Sequence, residues 1–582
     1  MLVGILATSM AGIVAYKAYH SYRAMLAPKR FDAVSPVEPR EGFKLFTASS
    51  LDRIFKDGKT LVKPLFSNVA NISAARNEYE SFQLVIQTQD ASLRQVALDF
   101  SDLLDPTTGA RIDKGNITWR VEGYVPTVKP YYPVKFVGEW PDPLLPLKDF
   151  DVPAQTTQPV WVTVYVPKET PAGRYRGTVW LRTEGKSPRE IELDLRVFDF
   201  TLPKESSLKT AFDLYRHVTP SRYPHREHEN EIAYQARMED LNEQFTVMML
   251  QYRMNPILNI DPTKPEELAR VDRYRWFGLN NFSVGRKGGT FQNNWPEDED
   301  QLESLEGLYC AYGEILTLNN LLDFTYLYTW DEGDIGNPKV PKVCSMVHRA
   351  HSGLKNMVCY HGFWDPQEMP EWGKDIDIWC FNVDEFVESK MRKLQEIGKE
   401  IWMYVSGPSG GTTPNLAMDF ESMDYRIIPW LCWKYDIRGF LYWCVNWWEK
   451  VDPFSSAANT KWEQNANGLL FYPGQDGPVA SLRAEVWRDG MEDYEYTQTL
   501  LANLWAFEKL APETGYQGLI REIKLVLTMD ESLIRSMSDY TRDQEVLLRR
   551  RNAIAEKIEE TDQMLKKLLS PKQKILDTGP GQ

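Results

Sequence analysis

The chain predicts a multidomain α/β plus all-β protein, with an N-terminal β-sandwich, a (β/α)8 TIM barrel and a C-terminal helical appendage. Three observations carry this expectation. The chain has 582 residues, and single hydrophobic cores stop growing near about 250 to 300 residues, so two or three domains are needed. Residues 43–203 read as short runs of period-two alternation, whereas residues 204–499 alternate apolar strand-like runs with charged stretches of helical period. From Leu500 the chain turns to Leu, Glu, Lys and Arg at helical spacing, as in Gln544 to Leu569.

The first element stands apart from the fold. Leu2 to Tyr16 is an apolar run without charge, followed by Lys17, Arg23, Lys29 and Arg30. Fifteen residues are short of the roughly 20 that span a bilayer, but a snorkelling Lys17 would extend the segment to Tyr22. A signal peptide or single membrane anchor is expected, and the positive charges after the run favour a body facing the cytoplasm. A Pro-rich, charged linker from Ala27 to Gly42 follows.

In residues 43–203, the runs Phe82-Gln-Leu-Val-Ile-Gln, Val160-Trp-Val-Thr-Val-Tyr-Val and Gly177-Thr-Val-Trp-Leu-Arg-Thr are rich in β-branched and aromatic residues. Their spacing predicts an antiparallel sandwich, with Pro167 to Tyr175 as the loop between two strands. Beyond it, eight strand candidates appear: Lys209–Tyr215, Pro256–Ile260, Asn280–Val284, Asp323–Tyr328, Met357–Tyr360, Ile376–Phe381, Ile401–Val405 and Gly439–Cys444. Helical stretches separate most of them, notably Glu231–Leu250, Leu302–Leu318, Phe386–Glu396 and Met418–Lys434. Eight such repeats match a barrel of parallel strands. In residues 500–582 the Arg549-Arg-Arg run is expected to be a solvated helix face.

Composition narrows function by exclusion. A net charge of −15 without a Lys/Arg block is no footprint of a nucleic-acid binder, which must neutralise phosphates. The six cysteines show no CxxC pair, and no metal site or cofactor is expected; Cys359, Cys380 and Cys444 lie in apolar runs as small hydrophobes. His225 and His228 have no evident third ligand and are expected at the surface. Nineteen Trp and 28 Tyr supply flat amphipathic faces that stack on sugar rings and equally fill cores.

Barrel active sites lie at the carboxyl ends of the strands. The Asp323–Tyr328 candidate continues as Thr329-Trp-Asp-Glu-Gly, delivering Asp331 and Glu332 to the mouth behind aromatic residues. A carboxyl group partly desolvated beside Tyr328 or Trp330, and next to a second acid, would have its pKa raised toward the range of a general acid. Asp384-Glu385 and Asp530-Glu531 are competing pairs, the latter in the helical tail.

Tyr328-Thr-Trp-Asp331-Glu332, Phe440-Leu-Tyr-Trp-Cys-Val-Asn-Trp-Trp and Leu482-Arg-Ala-Glu-Val-Trp-Arg-Asp-Gly-Met-Glu-Asp-Tyr-Glu-Tyr496 together resemble glycoside hydrolase family 123. Ala75-Arg-Asn-Glu-Tyr-Glu-Ser-Phe-Gln-Leu-Val and Trp140-Pro-Asp-Pro-Leu-Leu-Pro-Leu resemble the sandwich that precedes the family barrel, and the resemblance spans roughly Phe43 to Leu500. It implies exo-hydrolysis of terminal β-linked N-acetylgalactosamine, with the substrate's acetamido oxygen as nucleophile and retention of configuration. Asp331 would orient the acetamido N–H and Glu332 would act as acid and then base. A glycan substrate and an extracytoplasmic site follow from the same resemblance. Gly333 departs from the Pro commonly found after the pair.

Further readings of the residues accompany this one. The Ile401–Val405 candidate ends in Ser-Gly-Pro-Ser-Gly-Gly with no acid before Asp419, so no enzyme nucleophile stands where conventional retaining barrels keep theirs. A conventional retaining pair of Glu332 and Glu385, or a carbohydrate-binding or structural protein without turnover, are the alternatives. Tyr404, Trp443, Asn446 and Trp447 are candidate pocket walls, with Asn446 and Trp447 expected to be exposed to substrate. Asp213, Asn382 and Asp384 are candidates for sugar recognition, beside Tyr328 and Trp330. Arg488, Asp489, Glu492 and Asp493 are expected to brace loops.

Overall fold

The structure is a computed structural model describing residues 31–32 and 38–569, except 33–37 between them and the segments 286–289, 293–294, 297, 334–336, 361–370, 408–409, 449–450 and 461–463. The expected anchor and the residues after Leu569 lie outside the described residues. No helix among the described residues is long and apolar enough to cross a membrane.

The first domain is a two-sheet sandwich. One sheet orders Glu139–Leu145, Ile117–Pro126, Thr157–Val166, Glu78–Thr88 and Phe43–Ser49, all antiparallel. In the facing sheet, Arg189–Thr201 pairs antiparallel with Gly173–Arg182 and parallel with Val69–Arg76. That parallel pairing is the one departure from the antiparallel expectation. Alternation produces the core: Val160, Val162, Val164 and Val166 face the same interior as Leu84, Ile86, Val179 and Leu181.

The second domain is a nearly closed parallel barrel. Its strands are β1 (Lys209–Phe212), β2 (Phe282–Ser283), β3 (Thr325–Gly333), β4 (Asn356–Tyr360), β5 (Ile378–Asn382), β6 (Glu400–Val405) and β7 (Gly439–Tyr442), in the spatial order β1-β7-β6-β5-β4-β3-β2. The expected strand Pro256–Ile260 is not a regular one, and it makes only single bridges, Phe212 to Pro256 and Ile260 to Val284. Pro256 has no N–H to donate, Asn259 adopts φ +50°, and the Asn259 N–H goes to the Ser283 hydroxyl (2.8 Å) instead of a ladder carbonyl. The segment nonetheless spans the gap, since Ile257 N–H bonds Phe212 O (2.9 Å) and Ile260 N–H bonds Ser283 O (2.9 Å).

Helices α1 (Glu231–Gln251), α2 (Pro265–Trp276), α3 (Glu299–Leu318), α4 (Lys339–Ala350), α5 (Glu388–Glu396) and α6 (Ser422–Tyr435) surround the strands. α2 and α4 are absent from the sequence reading, and between β4 and β5 the described residues hold only a single 3-10 turn, Glu371–Asp375. Side chains of alternate parity divide between two layers. Ala211, Met357, Cys359, Cys380, Trp402 and Tyr404 fill the barrel interior, while Val358, Trp379, Ile401 and Phe440 pack outward against the helices.

The last region is α7 (Leu482–Thr514), α8 (Gln517–Leu527), a short hairpin (Ile534–Ser536 with Asp539–Tyr540) and α9 (Gln544–Leu569). α7 runs without a break through Leu500, so the family-like segment from Leu482 to Tyr496 is its first half. That half is the keel of the molecule. Arg426 of α6 reaches Asp493 (2.8 Å) and Asp489 (3.4 Å) on α7, and Arg551 of α9 reaches Asp493 (2.9 Å), Glu80 (3.0 Å) and Glu78 (2.5 Å). Gly490 permits this approach, because a Cβ there would stand 2.7 Å from the Arg426 carbonyl oxygen. Asp142 of the Trp-Pro-Asp-Pro stretch receives both arms of Arg483 (2.9 and 2.8 Å). The bracing expected of Arg488, Asp489, Glu492 and Asp493 is therefore inter-domain. Arg551 corrects the solvated-face expectation, since it is 2% exposed in its side chain and clasped between sandwich and α7.

Candidate active site

The site is built where the strands end. β3 begins with interior-facing Tyr326 and Tyr328, but its register against β4 shifts between Tyr328 and Trp330 and again between Trp330 and Gly333. Such an irregularity re-aims side chains. Trp330 turns outward, 3% exposed, with its ring 6.3 Å from Trp295, which corrects its expected part in sugar recognition. Asp331 and Glu332 are swung to the mouth, where both are accessible to solvent. Glu332 adopts φ +41°, a left-handed conformation that costs a non-glycine residue on the order of 1 to 3 kcal/mol and that recurs at functional sites.

Two interior tyrosines hold the pair. The Tyr328 hydroxyl donates to Asp331 Oδ1 (2.6 Å) and also lies 3.1 Å from Cys359 Sγ, while the Tyr404 hydroxyl donates to Glu332 Oε1 (3.0 Å). Crowding by the barrel wall raises the Asp331 pKa above the ordinary carboxylate range; the Tyr328 hydrogen bond pulls it back, and the charge of Glu332 pushes it further up. Asp213, directly after β1, is pushed up to about 7 by burial, with a further push from Asp331 against a backbone hydrogen bond from Leu214. Asp331 thus pushes on Asp213 across two strand ends, and Glu332 on Asp331 within one.

The remaining expected residues divide clearly. Asn382 at the end of β5 donates to the Ser406 hydroxyl (3.0 Å) and is the cross-strand neighbour of Tyr404, so it lies beside the group that holds Glu332. Asp384 follows on a 3-10 turn capped by Asn382 and accepts a hydrogen bond from the Thr413 hydroxyl. Trp443 and Trp447 are half-buried, their rings 5.7 Å apart, and Tyr215 joins them at 6.2 and 5.6 Å to form an aromatic wall. Asn446 is not exposed to substrate. It is fully buried behind that wall, its amide exchanging hydrogen bonds with the Tyr215 backbone (2.9 and 3.0 Å), and so it braces the aromatic residue.

Sequence reasoning missed Tyr215 and Ser406. The rule that selected Asp213 and Tyr404 would have found both, since each lies just past a strand end. The burial of Asp419 was not legible: its carboxylate accepts from Tyr132 (2.9 Å) and Asn465 (2.6 Å) and sits in the junction between sandwich and barrel. The stretch of chain between β6 and Asp419 itself carries no acid. His225 stacks on Tyr234 at 3.7 Å and His228 is exposed.

Residues 292–500 match the profile described as glycoside hydrolase 123, catalytic domain, and residues 49–183 match the glycoside hydrolase 123 N-terminal domain, together more than half of the chain. A family 123 glycoside hydrolase from Clostridium perfringens, described for glycolipid glycan hydrolysis, superposes with TM-score 0.67 at 13% identity, covering 90% of this chain and 99% of that one. A Bacteroides ovatus xyloglucanase of family 5 aligns at TM-score 0.26 and 9% identity, over 72% of this chain and 98% of that one, which carries no argument. No curated protein matches by sequence. The chain belongs to glycoside hydrolase family 123 and is a glycosidase.

Proposed function

We propose that this glycosidase removes terminal β-linked N-acetylgalactosamine, or a related N-acetylhexosamine, from the non-reducing end of a glycan with retention of configuration. One observation carries the reading: two adjacent acids at the end of β3, each held by its own interior tyrosine, with Asp419, the first acid beyond β6, committed elsewhere. The substrate's acetamido oxygen attacks the anomeric carbon as the glycosidic C–O bond breaks. Asp331 accepts the acetamido N–H and stabilises the positive oxazolinium, while Glu332 gives its proton to the leaving oxygen. Glu332 then takes a proton from water, which opens the oxazolinium at the anomeric carbon and restores the acetamide.

The glycolipid glycans of the Clostridium perfringens enzyme support testing glycolipid head groups first. Within this reading the 256–260 segment serves as the eighth strand of a (β/α)8 barrel, and residues 2–22 tether or export the enzyme. Glu332→Gln lowers hydrolysis of an aryl β-N-acetylgalactosaminide by at least about 100-fold, the scale of general acid catalysis. An unchanged rate refutes the role of Glu332. Trapping of a covalent adduct by a fluorosugar, with indifference to a thiazoline mimic of the oxazoline, would move the mechanism to a Glu332 and Glu385 pair.

A further inference from the structure

The sandwich sends one loop out of its own domain. Residues 127–138 join the strands Ile117–Pro126 and Glu139–Leu145 and lie against the barrel loops that follow β6 and β7. The loop is tied down along its length. The Val128 backbone exchanges two hydrogen bonds with the Asn465 amide (2.9 and 2.9 Å), Tyr132 donates to Asp419 (2.9 Å), and Lys135 pairs with Glu421.

Tyr131 is left differently from its neighbour Tyr132. The residue is 57% exposed, yet its hydroxyl accepts from Gln464 Nε2 (3.1 Å) and stands where a Cβ on Gly407 would meet it at 2.8 Å. One hydrogen-bonded path and one chain contact run from this point into the site. Gln464 Oε1 accepts from Asn467 (2.7 Å), whose Oδ1 accepts from Trp443 Nε1 (3.0 Å) in the aromatic wall. Gly407 follows Ser406, which accepts from Asn382 (3.0 Å), the cross-strand neighbour of Tyr404, the donor to Glu332. A tyrosine pinned at its phenol end, with its ring open to solvent, is a stacking surface whose rotamer entropy is already spent.

Resting on the reading above, we propose that Tyr131 is a specificity-determining platform that stacks on the sugar of the leaving group, just beyond the bond that Glu332 protonates. The sandwich thereby supplies part of the substrate cleft, and the preferred substrate carries at least one pyranose beyond the terminal N-acetylhexosamine.

The test uses the full chain and two substrates: β-N-acetylgalactosaminyl fluoride, whose leaving group has no ring, and a glycolipid-type tetrasaccharide ending in β-linked N-acetylgalactosamine. In Tyr131→Ala the ratio of kcat/KM for the tetrasaccharide over the fluoride falls about tenfold, a loss of roughly 1.4 kcal/mol carried by KM. Tyr131→Phe, which keeps the ring and loses the tether, falls by less than Tyr131→Ala. Equal losses on the two substrates, or no change in the ratio, overturn the platform. Calorimetric titration of Glu332→Gln protein with the tetrasaccharide, with and without Tyr131→Ala, decides the matter without turnover. Wild-type failure on both substrates sinks the proposed activity alone, whereas identical or absent binding in the two titrated proteins sinks the platform.

Discussion

Replacing Asp493 by asparagine removes one charge from the place where all three regions meet. The carboxylate, completely buried, accepts from Arg426 Nε and Nη2 (2.8 and 3.0 Å) and the Trp430 indole N–H (3.0 Å), and forms an ion pair with Arg551 at 2.9 Å. Asparagine keeps the shape but leaves two buried guanidinium groups short of an anion, and breaking a buried pair in this way costs about 3 to 5 kcal/mol. The expected loss is near 3 kcal/mol, because Glu80, raised to about 7 chiefly by burial, contacts Arg551 at 3.0 Å and can ionise to replace part of the charge. The sign with pH follows. A carboxyl whose folded pKa is raised stabilises the fold while protonated, and that contribution is lost as pH rises from about 4.5 through its folded value of about 7. Once Asp493 is gone, ionisation of Glu80 becomes favourable, so the variant's deficit is larger at pH 5 than at pH 8. Urea unfolding followed by tryptophan fluorescence measures it, with Glu556→Gln as control. Glu556 meets Arg196 at 3.1 Å, but the two side chains are 59% and 46% exposed, so that pair contributes at most about 1 kcal/mol. A deficit for Asp493→Asn below about 1 kcal/mol, or one no larger than the control's, would refute the argument that buried charge pairing joins the regions.

Other substitutions probe the site and its support. Tyr404→Phe removes the hydroxyl that holds Glu332 at 3.0 Å and is expected to lower kcat about tenfold, the scale of one buried hydrogen bond, with unfolding midpoint little changed; an unaltered kcat would show that Glu332 needs no such anchor. Gly490→Ala forces α6 and α7 apart and should lower stability by about 1 to 3 kcal/mol, read as a shifted denaturation midpoint; a neutral result would mean the helices separate freely. His348 lies between Asp377 (2.8 Å) and Asp375 (3.3 Å), whose hydrogen bonds and charges raise its pKa above the ordinary histidine value of 6.5. Its stabilisation is full below pH 6.5 and lost as pH rises through the raised folded value, so His348→Gln should flatten that part of the stability-pH curve. An identical curve for the variant would remove the histidine from the account.

The layout of domains was legible because it rests on periodicity. Strands such as Thr157–Val166 alternate their side chains within one stretch of chain, and β1, β3, β4, β5, β6 and β7 all fall on apolar runs visible without the fold. The second barrel segment was misjudged as a full strand because Pro256 and Asn259 disrupt its ladder while leaving its apolar character intact. The position of the acidic pair followed from the rule that barrels react at their strand ends, and the family-like motifs pointed to the same chemistry.

Local pattern nevertheless placed Trp330 and Asn446 on the wrong surfaces. The register shifts in β3 depend on pairing with β4, and the burial of Asn446 depends on Tyr215, 231 residues away. The Leu482 to Tyr496 segment looked like helix charge patterning, yet its acids became buried only through docking of Arg426 and of Arg551, itself 473 residues from its partner Glu78. Alternation along a strand is set by neighbours in the chain, so a sequence displays it directly. Which charges meet, which ring turns inward and which loop crosses to another domain are settled by contacts between distant segments, whose energies exist only once the layers have packed.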